Sequence, residues 1–337
     1  PIIKDTNKDK FSTDNYRGLM LLSHVSKLYS SVLNFRISNW IKEHNVLNDE
    51  QNGFIKGRSC QDHLQSLSSI VETRLLKKLD TFLCFIDFSK AYDRIPHDHL
   101  WYKLLKIGMN GKILDALQSM YNGVKCHVRV NNFLSEVFGV TCGLKQGCLN
   151  SPLLFNMYIN DLITEINMFG RGISINGRKE SMLLYADDIV LVAKCARDIQ
   201  CMLDVLSKWC DDWALQVNPN KSKIMHCRKV GHKLTRFPFK CGKDELEVVT
   251  KYKYLGLWLT EHQDFKYMAE QVAGSAHRAL GLLICKSKCV GGFPFKCYTK
   301  LYQSLVQSII DYGSCVWGHK HFSCVLQLSN TELCTHF

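Results

Sequence analysis

The sequence contains no Cys-x2-Cys pair, which excludes a zinc ribbon as its organising centre. No uninterrupted apolar run is long enough to cross a bilayer, and no secretory signal pattern is present, so neither a membrane-spanning nor a secreted class is indicated. Internal repeats and low-complexity linkers are also missing, which argues against a repeat array. Acidic residues are the minority among the charges. There are 31 Asp+Glu against 43 Lys+Arg, for a formal net charge of +12, and the basic residues are scattered rather than gathered in one tail. A basic surface suits a polyanion such as nucleic acid; simple solubility is the other reading of the same charge.

What is present is enough for a large core. The chain has 337 residues, 46% of them hydrophobic, and more than one domain or subdomain is expected. Its 16 cysteines follow no disulfide framework. Cys84, Cys126, Cys201 and Cys227 fall within apolar patterns and read as small buried hydrophobes in a reducing compartment. Cys324, Cys334 and His336 are the remaining candidates for a metal site, one that would be completed beyond the end. The first residues, PIIK, read as mid-strand and carry no Met, so the chain is expected to be a piece of something longer.

The hydrophobic periods alternate between strand and helix. A helix is expected from Tyr16 to Trp40, with Leu21, Val25, Leu28, Val32, Phe35 and Trp40 as its apolar stripe, and another from His63 to Leu79. TFLCFIDF, Thr81 to Phe88, is a short apolar run. Pro96 opens a helix, and Lys112 to Tyr121 is a further one. Val124 to Val130 alternates and turns at Asn131-Asn132 into a second strand, Phe133 to Val140. Helices follow at Leu153 to Met168 and at Asp198 to Trp213, short strands lie between Leu215 and Thr260, and Phe265 to Trp317 is helical. Strands interleaved with helices and hairpins, then a helical end, indicate an α+β fold.

SMLLYADDIVLVA, Ser181 to Ala193, carries two adjacent aspartates inside an apolar run. In one unbroken strand they would point to opposite faces, and one carboxylate would enter the interior at a large cost. A hairpin reversing at Ala186-Asp187-Asp188 removes the conflict by placing both at its tip, where aspartate is also an ordinary turn residue. Asp87 ends the TFLCFID run about 100 residues upstream. If the two strands are neighbours, three carboxylates converge and need a cation; hard oxygen ligands with room for water favour Mg²⁺. Two such ions can clamp the attacking and leaving oxygens of a phosphoryl displacement. Two unrelated turn aspartates remain the alternative at this level.

FIDFSKAYD, GLKQGCLNSPLLFNMYINDL, LLYADDIVLVA, NPNKSKIM and YKYLGLWLT occur in that order, preceded by PIIK, NYRG and QNGFIKGRSCQDHL. Together they resemble the reverse transcriptase of non-LTR (LINE-type) retrotransposons, from about Pro1 to Trp317. The resemblance implies an α+β right-hand polymerase with a palm sheet carrying the catalytic carboxylates. It implies fingers at 1–80, palm at 81–260 and a truncated thumb or connection at 261–337. Residues 1–260 together form the reverse transcriptase domain, and the hairpin near 123–145 is shared between the palm and fingers assignments. By the same resemblance Asp87, Asp187 and the Phe88 carbonyl are metal ligands for two Mg²⁺ ions, with Mn²⁺ as a substitute. Asp188 supports the metals or the primer end. Lys221, or its neighbour Lys223, protonates the pyrophosphate leaving group. Lys4, Arg17, Arg58, Tyr92, Gln146 and Gly147 bind the nucleotide, Tyr92 as the aromatic ring beneath the sugar. Tyr254, Leu255 and Gly256 form the primer grip. The implied partners are an RNA template, a DNA primer and dNTPs, with no membrane, in an intracellular setting, nuclear or cytoplasmic or both.

Two positions depart from the family pattern. Cys142 stands where small hydroxyl residues are usual, and Asn150 where an apolar residue is usual; Asn150 either disturbs the following helix start or caps it. An upstream endonuclease region is absent from this stretch of sequence. The expected activity is RNA-directed DNA polymerisation. An inactive or domesticated nucleic-acid-binding scaffold, an RNA-directed RNA polymerase and, more remotely, a phosphodiesterase are the rivals. Intact Asp87, Asp187 and Gln146 argue against the scaffold, Tyr92 against the RNA polymerase, and no residue resembles a water-activating base for the phosphodiesterase.

Overall fold

Apolar runs without alternation form strands where both faces of a sheet are covered, and the central sheet here is of that kind. The computed structural model describes residues 2–3, 9, 11–130, 132–175 and 177–325, without the side chains of Asp14, Arg17 and Arg178. Four strands build the sheet: β1 (Thr81–Ile86), β2 (Met182–Tyr185), β3 (Asp188–Ala193) and β4 (Lys223–Cys227). Their order is β2-β3-β1-β4, every neighbour antiparallel. The register sets Ile86 of β1 against Ile189 of β3, so the next step outward brings Asp87 to Asp188. Residues 50–52 extend the β2 edge as a parallel fifth segment, with Asn52 N–H donating to the Leu184 carbonyl at 2.8 Å and Leu184 N–H to Glu50 at 2.9 Å.

Side chains alternate between two separate cores. Phe82, Cys84, Ile86, Met182, Leu184, Ile189, Leu191 and Ile224 face the first. It is completed by the helices that follow α1 and α2 (His24–Glu43 and Cys60–Leu76): α3 (His97–Lys106), α4 (Lys112–Tyr121), α5 (Ser151–Met168) and α6 (Ala196–Asp212). Leu83, Phe85, Leu183, Val190, Val192, Met225 and Cys227 face the second, against Leu64, Leu67 and Val71 of α2. The hairpin β5 (Lys251–Tyr254) and β6 (Leu257–Thr260), and the long helix α7 (Lys266–Cys289), close this second face through Tyr254, Leu257, Leu259, Met268 and Val272. Among the described residues no helix is long and apolar enough to cross a membrane.

Most expected elements recur with shifted ends. The first helix recurs with the largest shift at its start and with a different buried face. Tyr16–Arg17 instead pairs with Ile2–Ile3 as a short strand, and α1 starts at His24, where the Ser23 hydroxyl accepts the Ser26 N–H at 3.1 Å. The buried face of α1 is Ser30, Leu33, Ile37 and Ile41, while Leu21, Val25, Leu28 and Phe35 of the expected stripe are 68–84% exposed. This segment is apolar on two sides, and a 3.6 period fits either; packing against α5 selects the second. The α2 helix begins three residues early, at Cys60, because Ser59 and Asp62 form a reciprocal capping box. The 124–140 stretch breaks into two short ladders, Lys125–Cys126 with Phe138–Gly139 and Arg129–Val130 with Phe133–Leu134. Cys84 and Cys227 are buried as expected, whereas Cys126 and Cys201 are half-buried. Cys334 and His336 lie outside the described residues, as does Asn131.

Candidate active site

The two aspartates sit where burial demands. Tyr185 pairs with Asp188, leaving Ala186 and Asp187 as the two-residue turn, with Ala186 at φ +57°. Asp87 follows the last residue of β1, and its backbone is held from the far side. Its N–H donates to the Ser222 hydroxyl at 3.0 Å, and its carbonyl accepts the Asn218 N–H at 2.8 Å. Ser89 N–H donates to Gln216, so Phe88 and Val217 are a non-hydrogen-bonded antiparallel pair. In such a pair the residue's own N–H and C=O turn away from the partner strand. The Phe88 carbonyl is therefore directed toward the side on which the Asp187–Asp188 hairpin lies.

The carboxylates feel one another. Burial, and then the charges of Asp187 and Asp87, push the Asp188 carboxyl up to about 6, with Lys221 opposing the shift. The Lys221 ammonium stands 3.2 Å from both Asp87 oxygens. Asp87 Oδ2 is buried and accepts no well-aligned hydrogen bond even so. Among the described residues no three His, Cys, Asp or Glu side chains form a ready metal cluster. An under-satisfied buried oxygen beside a second carboxylate, already drawing a cationic side chain, fits a hard cation held by few carboxylates and completed by phosphate oxygens, the usual manner of Mg²⁺. Lys223 is drawn elsewhere: its Nζ lies 2.9 Å from Glu247, so of the two lysines Lys221 is the one at the aspartates.

Tyr92 lies close enough to Asp187 for that charge, second to burial, to raise its phenol. Its ring stacks on Phe155 with centroids 4.8 Å apart and planes 10° apart, and its carbonyl accepts the Leu144 N–H at 2.6 Å. The next residue, Asp93, accepts the Gln146 amide at 2.8 Å. Gly143 and Gly147 have φ of +87° and +107°, and a Cβ on either would meet backbone of Asp93 or Met20 at 2.9 Å. The loop carrying Gln146 and Gly147 is thus closed against the Tyr92 turn. Asn150 occupies the residue before α5 but its side chain makes no capping bond; it is buried, with the Met120 sulfur 4.0 Å from its amide nitrogen, so of the two readings of this residue the cap is not the one formed. Cys142 is exposed.

Arg58 spends its guanidinium on protein: Nη1 donates to the Asp49 and Gln51 carbonyls and Nη2 to the Asp49 carboxylate at 2.8 Å. Arg17 is placed by its strand pairing with Ile2, its side chain outside the described atoms, and Lys4 lies outside the described residues. Leu255 (φ 45°) and Gly256 (φ 83°) form the left-handed two-residue turn between β5 and β6. Tyr254 is 2% exposed and its hydroxyl lies 3.4 Å from the Asp188 carbonyl, so this hairpin rests directly on the aspartate hairpin. From the helical end, the Tyr312 hydroxyl donates to the Leu255 carbonyl at 2.6 Å.

Sequence reasoning missed the clamp that shapes the aspartate turn. Gln51 is buried, and its Oε1 accepts both Gly53 N–H at 2.8 Å and Ala186 N–H at 2.9 Å. Asn156 of α5 donates to the Gly53 carbonyl at 2.7 Å. The signal available was the QNG tripeptide, polar residues with a glycine that no expected helix or strand used.

A family model described as reverse transcriptase (RNA-dependent DNA polymerase) matches residues 3–259. A probable RNA-directed DNA polymerase from transposon BS of Drosophila melanogaster is 28% identical over 94% of this chain and 35% of its own length. An RNA-directed DNA polymerase from mobile element jockey of Drosophila funebris is 25% identical over 79% of this chain and 29% of its own. The chain thus spans about a third of the length of the curated relatives it matches. Among solved structures, telomerase from Candida tropicalis in complex with a fragment of telomeric RNA superposes with a TM-score of 0.50. It has 13% identity and covers 86% of this chain and 47% of that one, a likeness of fold.

Proposed function

The chain belongs to the reverse transcriptase (RNA-dependent DNA polymerase) family, of the non-LTR retrotransposon type and right-hand polymerase fold, and on that premise we propose how its residues divide the work of extending a primer on an RNA template. The observation that carries the reading is the convergence of Asp87, Asp187 and Asp188 at one end of the sheet, with Lys221 on Asp87. Asp87, Asp187 and the Phe88 carbonyl would hold two Mg²⁺ ions, for which Mn²⁺ could substitute. When bound, such ions neutralise the triphosphate and favour the alkoxide form of the primer 3′-hydroxyl. Asp188, whose carboxyl is raised by burial and by the charges of Asp187 and Asp87, supports the metals or the primer end.

Lys221 gives a proton to the departing pyrophosphate. Its ammonium is within reach of the triphosphate that Asp87 would help to anchor. Tyr92, fixed by Phe155, lies beneath the sugar and clashes with a 2′-hydroxyl. Gln146 and Gly147 line the nucleotide from the opposing loop, and Lys4 and Arg17 meet its phosphates. Arg58 reaches nucleotide or template only by leaving Asp49; otherwise it braces the 49–52 segment. Tyr254, Leu255 and Gly256 present the primer terminus to the aspartates. Fingers comprise 1–80, palm 81–260 and thumb or connection 261–337. An RNA template, a DNA primer and dNTPs are the partners. The compartment is intracellular, nuclear or cytoplasmic or both.

Primer extension on an RNA template with dNTPs, in Mg²⁺ and in chelator, tests this reading. Templated extension that stops when the cation is removed is expected. A folded protein that binds template–primer but adds no nucleotide in either Mg²⁺ or Mn²⁺ would instead support the inactive nucleic-acid-binding scaffold.

A further inference from the structure

His63 lies in the first turn of α2 and is completely buried, yet no element of the chemistry above uses it. A buried imidazole must satisfy two nitrogens. Its Nδ1 is 3.1 Å from the Asn52 amide nitrogen, and its Nε2 is 2.8 Å from the Tyr254 hydroxyl. The direction of each bond follows from its neighbours. Arg58 Nη1 stands 3.4 Å from Asn52 Oδ1 and can only donate, so the Asn52 oxygen faces Arg58 and its NH₂ faces His63. Nδ1 therefore accepts, and Nε2 carries the hydrogen and donates to Tyr254. The Tyr254 hydroxyl is then free to donate to the Asp188 carbonyl at 3.4 Å.

The result is one directional series of donors from Arg58 through Asn52, His63 and Tyr254 to the backbone of the aspartate hairpin. It works only with a neutral imidazole, and burial pulls the His63 pKa down to about 4. The ring is also packed against both hairpins, 6.0 Å edge-on to Tyr185 of β2 and 5.7 Å from Tyr254. His63 is 191 residues from Tyr254 in sequence, so the link joins the N-terminal region to two separate parts of the site.

We propose that His63 is a positioning residue: through the Tyr254 hydroxyl it holds the 254–257 hairpin in register with the Asp187–Asp188 hairpin, and so sets the primer terminus against the metal-binding carboxylates. This rests on the polymerase reading above. His63 does not itself touch substrate. Its effect falls on the alignment of the primer hydroxyl rather than on nucleotide affinity.

The test is a double-mutant cycle of His63→Phe and Tyr254→Phe in the full chain, read by thermal unfolding and by primer extension. Both substitutions keep a ring; His63→Phe removes the bonds to Asn52 and Tyr254, Tyr254→Phe those to His63 and Asp188, and the link the two share is His63–Tyr254. Coupling is expected, with the double variant melting no lower than the worse single one. In extension, kcat of each single variant falls about tenfold, well within the loss that a small misplacement of reacting groups produces. The KM for dNTP stays within about threefold in that comparison, and the double variant is no slower than the single ones. His63→Gln keeps an N–H able to reach Tyr254 and recovers to within about threefold of wild type. Should His63→Phe fail to fold, the same cycle with His63→Ala and Tyr254→Phe replaces it. Additive losses in an active wild-type background, or a His63→Gln protein as slow as His63→Phe, overturn the inference alone. A folded wild-type chain that extends no primer overturns the polymerase reading and the inference with it.

Discussion

Gly53→Ala should disable the site by one methyl group placed in the wrong space. The φ of Gly53 lies outside the left-handed region, so an alanine is not strained there by conformation. The difficulty is what its Cβ would meet: Ala186 N well inside contact distance, Tyr185 C at 2.8 Å and Ala186 Cα at 3.0 Å, all backbone of the aspartate turn. To reach ordinary contact near 3.4 Å the turn must retreat by about 1 Å, or residues 50–53 must lift away. Lifting breaks the Gln51 contact to Ala186, the Asn52 contact to Leu184 and the Asn156 contact to Gly53. Overpacking of this kind costs about 1–3 kcal/mol of stability. A shift of about 1 Å at reacting groups costs on the order of 10²-fold in rate. Single-turnover primer extension, with thermal unfolding to verify the fold, measures both. Gly281→Ala in α7, where a Cβ meets nothing within 4 Å, is the control and should extend at the wild-type rate. A Gly53→Ala protein extending within about threefold of wild type would refute the claim that this glycine shapes the catalytic turn, since the expected loss is far larger.

Asp187→Asn should leave the melting temperature near wild type and lower extension by several orders of magnitude, since metal clamping supplies several kcal/mol and about 1.4 kcal/mol is tenfold; near-normal extension would remove Asp187 from the metal site. Tyr92→Val should lower the ratio of kcat/KM for dNTP over rNTP, and an unchanged ratio would make Tyr92 ordinary packing against Phe155. The Asp188 carboxyl, raised to about 6 from 3.8, makes the cation-free fold favour the protonated acid. Its contribution to stability is therefore full below the ordinary carboxylate range and lost as pH rises through about 6. Denaturant unfolding in chelator should show about 1–2 kcal/mol of that loss between pH 4 and 7.5 in wild type, after solvent screening, and not in Asp188→Asn. An equal slope in both proteins would show that Asp188 is not the group responsible. Template–primer affinity should fall steeply as salt rises if the +12 charge meets phosphates, and a flat response would count against it.

The aspartate hairpin was legible because a local conflict had only one cheap resolution. Two neighbouring carboxylates in an apolar run cannot both avoid the interior unless the chain turns there, and it does, between Tyr185 and Asp188. The strands on either side were legible for a related reason. Burial on both sheet faces leaves a continuous apolar run in TFLCFI and IVLVA, a pattern visible in the order of residues along the chain. Helix α1 was not legible in the same way. It offers two apolar stripes, and nothing local says that Leu33, Ile37 and Ile41 rather than Val25, Leu28 and Phe35 will meet the core.

The residues that shape the site from behind were the least legible, and their contacts explain why. Gln51 reaches the aspartate turn from 135 positions away, and Asn156 meets Gly53 from 103. Each is a polar residue buried only because a remote backbone group needs a partner, so neither periodicity nor a turn propensity announces it. Gly53 has the weakest local signature of all, since its φ is unremarkable and the space it leaves is occupied by another strand's turn. Residues proposed to meet substrate, such as Asp87, Asp187 and Tyr92, stand out by their chemistry. Residues that hold a catalytic turn in place follow the packing, and become visible only when the backbone they support is in view. For this chain the second group outnumbers what the motifs alone suggest, because the aspartate turn is held by side chains or backbone from the 50–53 segment, α5 and the β5–β6 hairpin together.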